Sequence, residues 1–134
     1  MDRLNERLGI AHTALGRLRE VAAGHESDAL VRDAAIQRFE FTFEAAWKAA
    51  QRYLADIEGL AVGSPKAAAR AAGAVGLLEA TEVEELLAMA DDRNLTVHTY
   101  DEALARAIYR RLASHAHLLG RWLDAMNERS APRG

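Results

Sequence analysis

Arg93-Asn94-Leu95-Thr96-Val97-His98-Thr99-Tyr100 puts a fixed cation, a proton shuttle and a phenol within eight residues. An arginine is always charged, and its planar fork matches phosphate oxygens. A histidine can take or give a proton near neutral pH. A cation for a phosphate and a base for a hydroxyl are, in principle, enough to cleave RNA without a metal. The Arg-x4-His pattern is weak by itself. Its bland reading is an arginine paired to a carboxylate beside a solvent-facing histidine.

The spacing also poses a geometric problem. On one unbroken helix Arg93 and His98 would point ~140° apart. They can serve one substrate atom only if the helix breaks between them or a second protomer completes the cleft. Thr99-Tyr100-Asp101-Glu102 offers the break, because it reads as a capping box with Thr99 at N-cap and Glu102 at N3.

The elements that must position these residues are helices. Leu4, Leu8, Ala11, Leu15, Leu18 and Ala22 recur at four- and three-residue steps, which predicts a first helix over about 3–23, ended by Gly24. Ser27 or Asp28 can cap a second helix over 28–57, whose core stripe is Ile36, Phe39, Phe43, Trp47, Ala50, Leu54 and Ile57. Gly59 and Gly63 break it. Ser64-Pro65 suits N-cap and N1 of a short, alanine-rich third helix that ends near Gly73 or Gly76. A fourth helix over about 79–94 turns Val83, Leu86, Leu87 and Ala90 inward. A fifth, from the Thr99 box to about 127, carries Leu104, Ile108, Leu112, Leu119, Trp122 and Met126. The expected fold class is all-α: a mostly antiparallel four-helix bundle with one additional short helix. Residues 1–129 form the single domain and 130–134 a flexible tail.

Composition agrees with that reading. Half the residues are hydrophobic but only 6% are aromatic, which favours closely packed helices over a sandwich. The absence of cysteine excludes disulfides and cysteine-based zinc sites. No apolar run approaches ~18 residues and no signal-peptide core is visible, so the expectation is a cytoplasmic protein with no membrane partner. A net charge of -3 argues against bulk electrostatic binding of nucleic acid but leaves room for a local cationic site. Lys48 and Lys66 are the only lysines.

The segment from Arg93 to Glu102 resembles the signature of the HEPN superfamily. More narrowly, it resembles the subgroup described as nucleotidyltransferase substrate-binding proteins. Two further blocks match that subgroup in order: Arg38-Phe39-Glu40-Phe41-Thr42-Phe43-Glu44-Ala45-Ala46-Trp47-Lys48 and Ser64-Pro65-Lys66. The resemblance implies a helical bundle, usually a homodimer, that binds a cognate minimal nucleotidyltransferase (MNT) in a HEPN/MNT toxin–antitoxin pair. In the toxins of that group, the residues matching Arg93 and His98 form a metal-independent endoribonuclease site acting on RNA. The residue matching Tyr100 receives AMP from the antitoxin, which silences the nuclease. ATP is then used by the partner, and this chain needs no cofactor. The older family description implies an alternative, a non-catalytic subunit that presents substrate to the nucleotidyltransferase.

Other polar residues carry weaker signals. Asn94 can orient a phosphate oxygen or His98, or simply close a helix end. Glu40 falls in an apolar stripe, where it can orient His98, pair with Arg93, or form a structural ion pair with Arg111. Glu44 and Lys48 read as an intrahelical pair, His115 as a core or dimer contact, and His12, His25 and His117 as surface residues. No carboxylate–histidine set suggests a metal site and no glycine-rich loop suggests that this chain binds ATP.

Overall fold

The computed structural model describes residues 2–131. Five α-helices follow one another: α1 (Asp2–Arg19), α2 (Ala29–Ile57), α3 (Pro65–Ala74), α4 (Ala80–Leu95) and α5 (Glu102–Ser130), with a single 3₁₀ turn, Thr96–His98, between α4 and α5. The three longest, α1, α2 and α5, pack against one another as the main body of the bundle. α4 lies against α5, and the short α3 bridges α2 and α4.

The seam of α1 explains its place. Leu4, Leu8, Ala11, Leu15 and Leu18 are all at most 2% exposed, and each buried leucine contributes roughly 1.5–3 kcal/mol as area removed from water. α1 stops at Arg19, four residues before the expected end. Ala22 is still buried, and the backbone around it is held by Leu18 O of α1 through Val21 N and by a side chain of α5. The Tyr109 hydroxyl donates to Val21 O at 2.8 Å and accepts from His25 N at 3.1 Å.

Local capping sets most other boundaries. Asp28 Oδ1 accepts from the amides of Leu30 and Val31, fixing the start of α2. Leu60 N reaches back to Leu54 O at 2.8 Å over Gly59, whose φ of 70° gives the left-handed turn that ends α2. The stripe expected on α2 is buried except for Ile57, which emerges in the last turn. Ser64 caps α3 through Ala67 N, and Pro65 takes the first helical position. Close packing of α3 on α4 depends on Gly73, where a Cβ would stand 2.7 Å from Val83 Cγ2.

Two boundaries differ from expectation. α5 is capped by Asp101, whose carboxylate accepts from Leu104 N, and not by Thr99. The Thr99 hydroxyl is used inside the preceding turn, donating to Thr96 O at 3.0 Å. At its other end α5 runs on through Ser130, the first residue of the expected tail; residues 132–134 of that tail lie outside the described residues.

Trp122 is fully buried on α5. Trp122→Ala is expected to cost roughly 3–5 kcal/mol, whereas Asp28→Ala should cost only ~1 kcal/mol by removing one cap. Urea unfolding midpoints of the two variants would show that ratio; equal losses would contradict it.

Candidate active site

The last turn of α4 carries Arg93, and the 3₁₀ turn that follows carries His98 at its end. Helix geometry therefore does change between the two residues, as the spacing requires. Their settings nevertheless differ. Arg93 is held against the bundle: its Nη1 donates to Thr96 Oγ1 at 3.2 Å and lies 3.6 Å from Glu40 Oε2 on α2. The Thr96 hydroxyl in turn donates to Arg93 O at 2.7 Å, closing the end of the helix on itself. His98 stands outward on the exposed turn. Its Nδ1 is 3.3 Å from the Tyr100 hydroxyl, and the two rings meet edge to face at 5.9 Å. Tyr100 is 85% exposed, just before the start of α5.

The chain thus forms two adjacent pairs, Arg93 with Glu40 and His98 with Tyr100. Among the described residues, no hydrogen bond or ion pair links one pair to the other. Glu40 takes the Arg93 side of the alternatives left open by the sequence. Its structural ion pair with Arg111 does not form, because Arg111 has another partner.

That partner is Asp92, the residue beside Arg93. Asp92 is buried, and its carboxylate accepts a two-pronged bond from Arg111 Nε and Nη2, both at 2.7 Å. His115, one turn further along α5, places Nε2 2.7 Å from the same carboxylate. The His115 ring also stacks on Phe39 at 5.3 Å, which makes it a core contact as expected. Burial pushes the Asp92 carboxyl upward, but the bonds and charges of Arg111 and His115 outweigh it and hold the group below its ordinary range. Burial dominates at His115 and holds that imidazole below its usual value, against the upward pull of Asp92. The resulting state near neutrality is an anionic Asp92, a cationic Arg111 and a neutral His115 donating from Nε2.

Sequence reasoning misses the Asp92 cluster. A signal exists: Arg111 and His115 are four residues apart on one face of a helix and need a carboxylate opposite them. Glu44 and Lys48 also part company. Glu44 accepts from Trp47 Nε1 at 3.1 Å, and Lys48 Nζ lies over the Trp47 ring at 4.6 Å. Among the other histidines, His25 and His117 are exposed and His12 is half-buried.

An open cleft of about 420 Å³ lies beside Arg93. Phe43 and Glu44 of α2, Ser64, Pro65 and Lys66 at the start of α3, and Ala90, Arg93 and Asn94 of α4 form its walls. Each of the three sequence blocks contributes to it. Asn94 is exposed on that wall and makes no bond to His98. Among the described residues, no three His, Cys, Asp or Glu side chains group as a metal site, and no helix is long and apolar enough to cross a membrane.

Residues 6–128 match the family described as nucleotidyltransferase substrate binding protein like. No curated protein matches the chain significantly. A solved structure from Thermus thermophilus is 52% identical, covers 87% of this chain and 98% of its own, and superposes with a TM-score of 0.84. A chain of the toxin–antitoxin MntA-HpeT, in mutant form, is 16% identical over 96% of this chain and 99% of its own, with a TM-score of 0.80. A structure of the tri-AMPylated Shewanella oneidensis HEPN toxin in complex with MNT antitoxin gives 16% identity, 96% and 98% coverage and a TM-score of 0.78. At that identity the last two establish a shared fold, the helical bundle of a HEPN toxin.

The Asp92 cluster makes a pH prediction. His115 titrates lower in the folded chain than its ordinary 6.5, so the unfolded chain binds the extra proton. Its contribution to stability is complete above about 6.5 and is lost as pH falls through the folded value. Asp92, held below 3.8, adds a separate loss only in stronger acid. Urea midpoints measured across this range should show both steps, and His115→Gln should remove the upper one. Asp92→Asn should cost about 1.5–3 kcal/mol at neutral pH, nearer the lower figure because Arg111 is half exposed and screened by solvent.

Proposed function

The chain belongs to the nucleotidyltransferase substrate-binding protein-like family, and from that premise we propose that it is a HEPN-type toxin. In this reading it is a metal-independent endoribonuclease whose activity a cognate minimal nucleotidyltransferase silences by adenylylating Tyr100. The observation that carries the proposal is the pairing of His98 with an exposed Tyr100 one turn beyond an anchored Arg93.

The chemistry assigns a task to each group. His98 removes the proton from a ribose 2′-hydroxyl, which attacks the adjacent phosphate. Arg93 stabilises the charge that develops on the phosphoryl oxygens. The P–O5′ bond breaks, the leaving oxygen takes a proton from water to become a 5′-hydroxyl, and a 2′,3′-cyclic phosphate remains. Glu40 acts through Arg93 by holding one side of the guanidinium, and Asn94 contributes an amide on the same wall. In this reading the protein is a homodimer, in which a second protomer completes the cleft. The exposed Leu95 and Val97 beside His98 support such a contact.

The off-switch follows from the same geometry. When the Tyr100 oxygen accepts from Nδ1–H, it fixes the tautomer that leaves Nε2 free as the base and orients His98. An AMP ester on that oxygen weakens it as an acceptor, adds bulk, and places a negative phosphate where the RNA phosphate must lie. The amides at the start of α5 favour a phosphate nearby. The antitoxin uses ATP for this transfer; the chain itself requires no cofactor.

The family description favours a second reading, a non-catalytic subunit that presents substrate to the nucleotidyltransferase. Expression of the chain alone in a bacterium separates the two. Growth arrest that His98→Ala and Arg93→Ala both relieve is the expected result. Normal growth, or arrest that survives His98→Ala, would remove the toxin reading and leave the binding subunit. Co-expression with the nucleotidyltransferase should raise the intact mass by AMP units, and Tyr100→Phe should abolish the rise. An unchanged mass would eliminate silencing by adenylylation.

A further inference from the structure

The cleft between α2, α3 and α4 has a use that the Arg93, His98 and Tyr100 chemistry does not supply. We propose that it seats a phosphate of the RNA strand neighbouring the scissile one, with Lys66 as the cation that holds it. The proposal rests on the nuclease reading and extends it from the cleavage point to the path of the substrate.

Three observations carry it. First, the cleft volume of about 420 Å³ falls in the range of ~300–1,000 Å³ typical of small-ligand sites, enough for one nucleotide unit. Second, its polar groups converge. Ala90, Arg93 and Asn94 stand at i, i+3 and i+4 of α4 and so share one helix face. Lys66 faces them from the first turn of α3, a position fixed by the Ser64 cap and Pro65. A strand whose reacting phosphate is held by Arg93 can therefore continue directly over Asn94 to Lys66. Third, Arg93 lines the cleft with its guanidinium held at Nη1 by Thr96 and Glu40, a cation already fixed in direction.

The charges at the rim decide how tightly the site can hold. Lys66 Nζ rests on Asp91 Oδ1 at 2.6 Å, and both side chains are substantially exposed, 40% and 62%. Solvent screens such a pair, so a phosphate can displace the carboxylate at small cost. Glu44 is the one acid on the cleft wall, and its Oε2 is already occupied by Trp47 Nε1. With Asp91 on Lys66 and Glu40 on Arg93 counted, two cations and an amide meet three carboxylates, each already engaged, so Lys66 becomes available to a phosphate only as Asp91 is displaced.

The test measures binding of a short fluorescein-labelled single-stranded RNA by anisotropy, with His98→Ala as the parent protein so that the probe survives. Adding Lys66→Ala is expected to weaken binding about five- to tenfold and to lower the slope of log affinity against log salt by about one. Arg70→Ala, an exposed cation on the same helix but outside the cleft, should do neither. Asp91→Asn breaks the same ion pair yet releases Lys66, so it should leave binding unchanged or tighter. Lys66→Ala that binds like Arg70→Ala would overturn the proposal. So would Asp91→Asn that weakens binding alongside Lys66→Ala, because the ion pair would then matter only as structure. If the parent protein binds no RNA, the nuclease reading falls and takes this inference with it. If the parent binds and the unmodified chain cleaves while Lys66→Ala changes nothing, the cleft assignment alone falls.

Discussion

The buried carboxylate of Asp92 is the constraint on which the geometry around Arg93 depends. α4 is a short helix lying at the side of the main body, and few large side chains anchor it. Leu86 and Met89 supply the apolar contact, but they do not fix the rotation of its last turn. Asp92 does, because two donors from α5 converge on it with different directions. A guanidinium fork and an imidazole leave one carboxylate little freedom, whereas apolar contacts allow a helix to slide or roll. Arg93 follows Asp92 by one residue, so its direction toward Glu40 is set by the same clamp.

The clamp also divides the site into a rigid part and a free part. Upstream of Thr96 the Arg93 guanidinium is tied to the bundle through Nη1, and the Thr96 hydroxyl closes the helix end. Downstream, Val97, His98 and Tyr100 stand in solvent on a 3₁₀ turn and the bend after it. An exposed tyrosine close to an exposed valine is costly for a resting surface and useful for one that meets other molecules. A fixed cation beside a free histidine–tyrosine pair suits the proposed reading, in which a phosphate needs a preset charge and the antitoxin needs access to a hydroxyl.

The fold is largely legible in the sequence because its signals are local. The leucine seam of α1, the aromatic stripe of α2 and the Ser64-Pro65 start each depend on residues within a turn or two of one another. The misread places are those where distant partners compete. Thr99 and Asp101 are both good capping residues two positions apart, and the 3₁₀ turn decides between them by engaging the Thr99 hydroxyl first. α1 ends early because Tyr109, 88 residues away from Val21, takes over its backbone. Periodicity pairs Arg111 with Glu40 because it gives the faces of helices but not which faces meet. The true partner, Asp92, is a charged residue buried near the end of a polar helix, where composition alone suggests solvent.

The same limit explains what the motif conveys. Arg-x4-His-x-Tyr specifies three side chains in order, and a sequence comparison can recognise it without saying how far apart they stand. In the folded chain the short spacing is spent differently on its two halves. The five-residue step from Arg93 to His98 crosses from α4 into the turn, and no hydrogen bond joins the two side chains. The two-residue step from His98 to Tyr100 brings an imidazole and a phenol into contact. A histidine whose ring nitrogen is already engaged by a tyrosine hydroxyl cannot change partners without the tyrosine being affected. In the proposed reading activity and silencing are therefore joined at one hydrogen bond, and a substitution at either ring would act on both. The joining bond is short in sequence because it must form on an exposed turn, where no core packing exists to hold two more distant residues together.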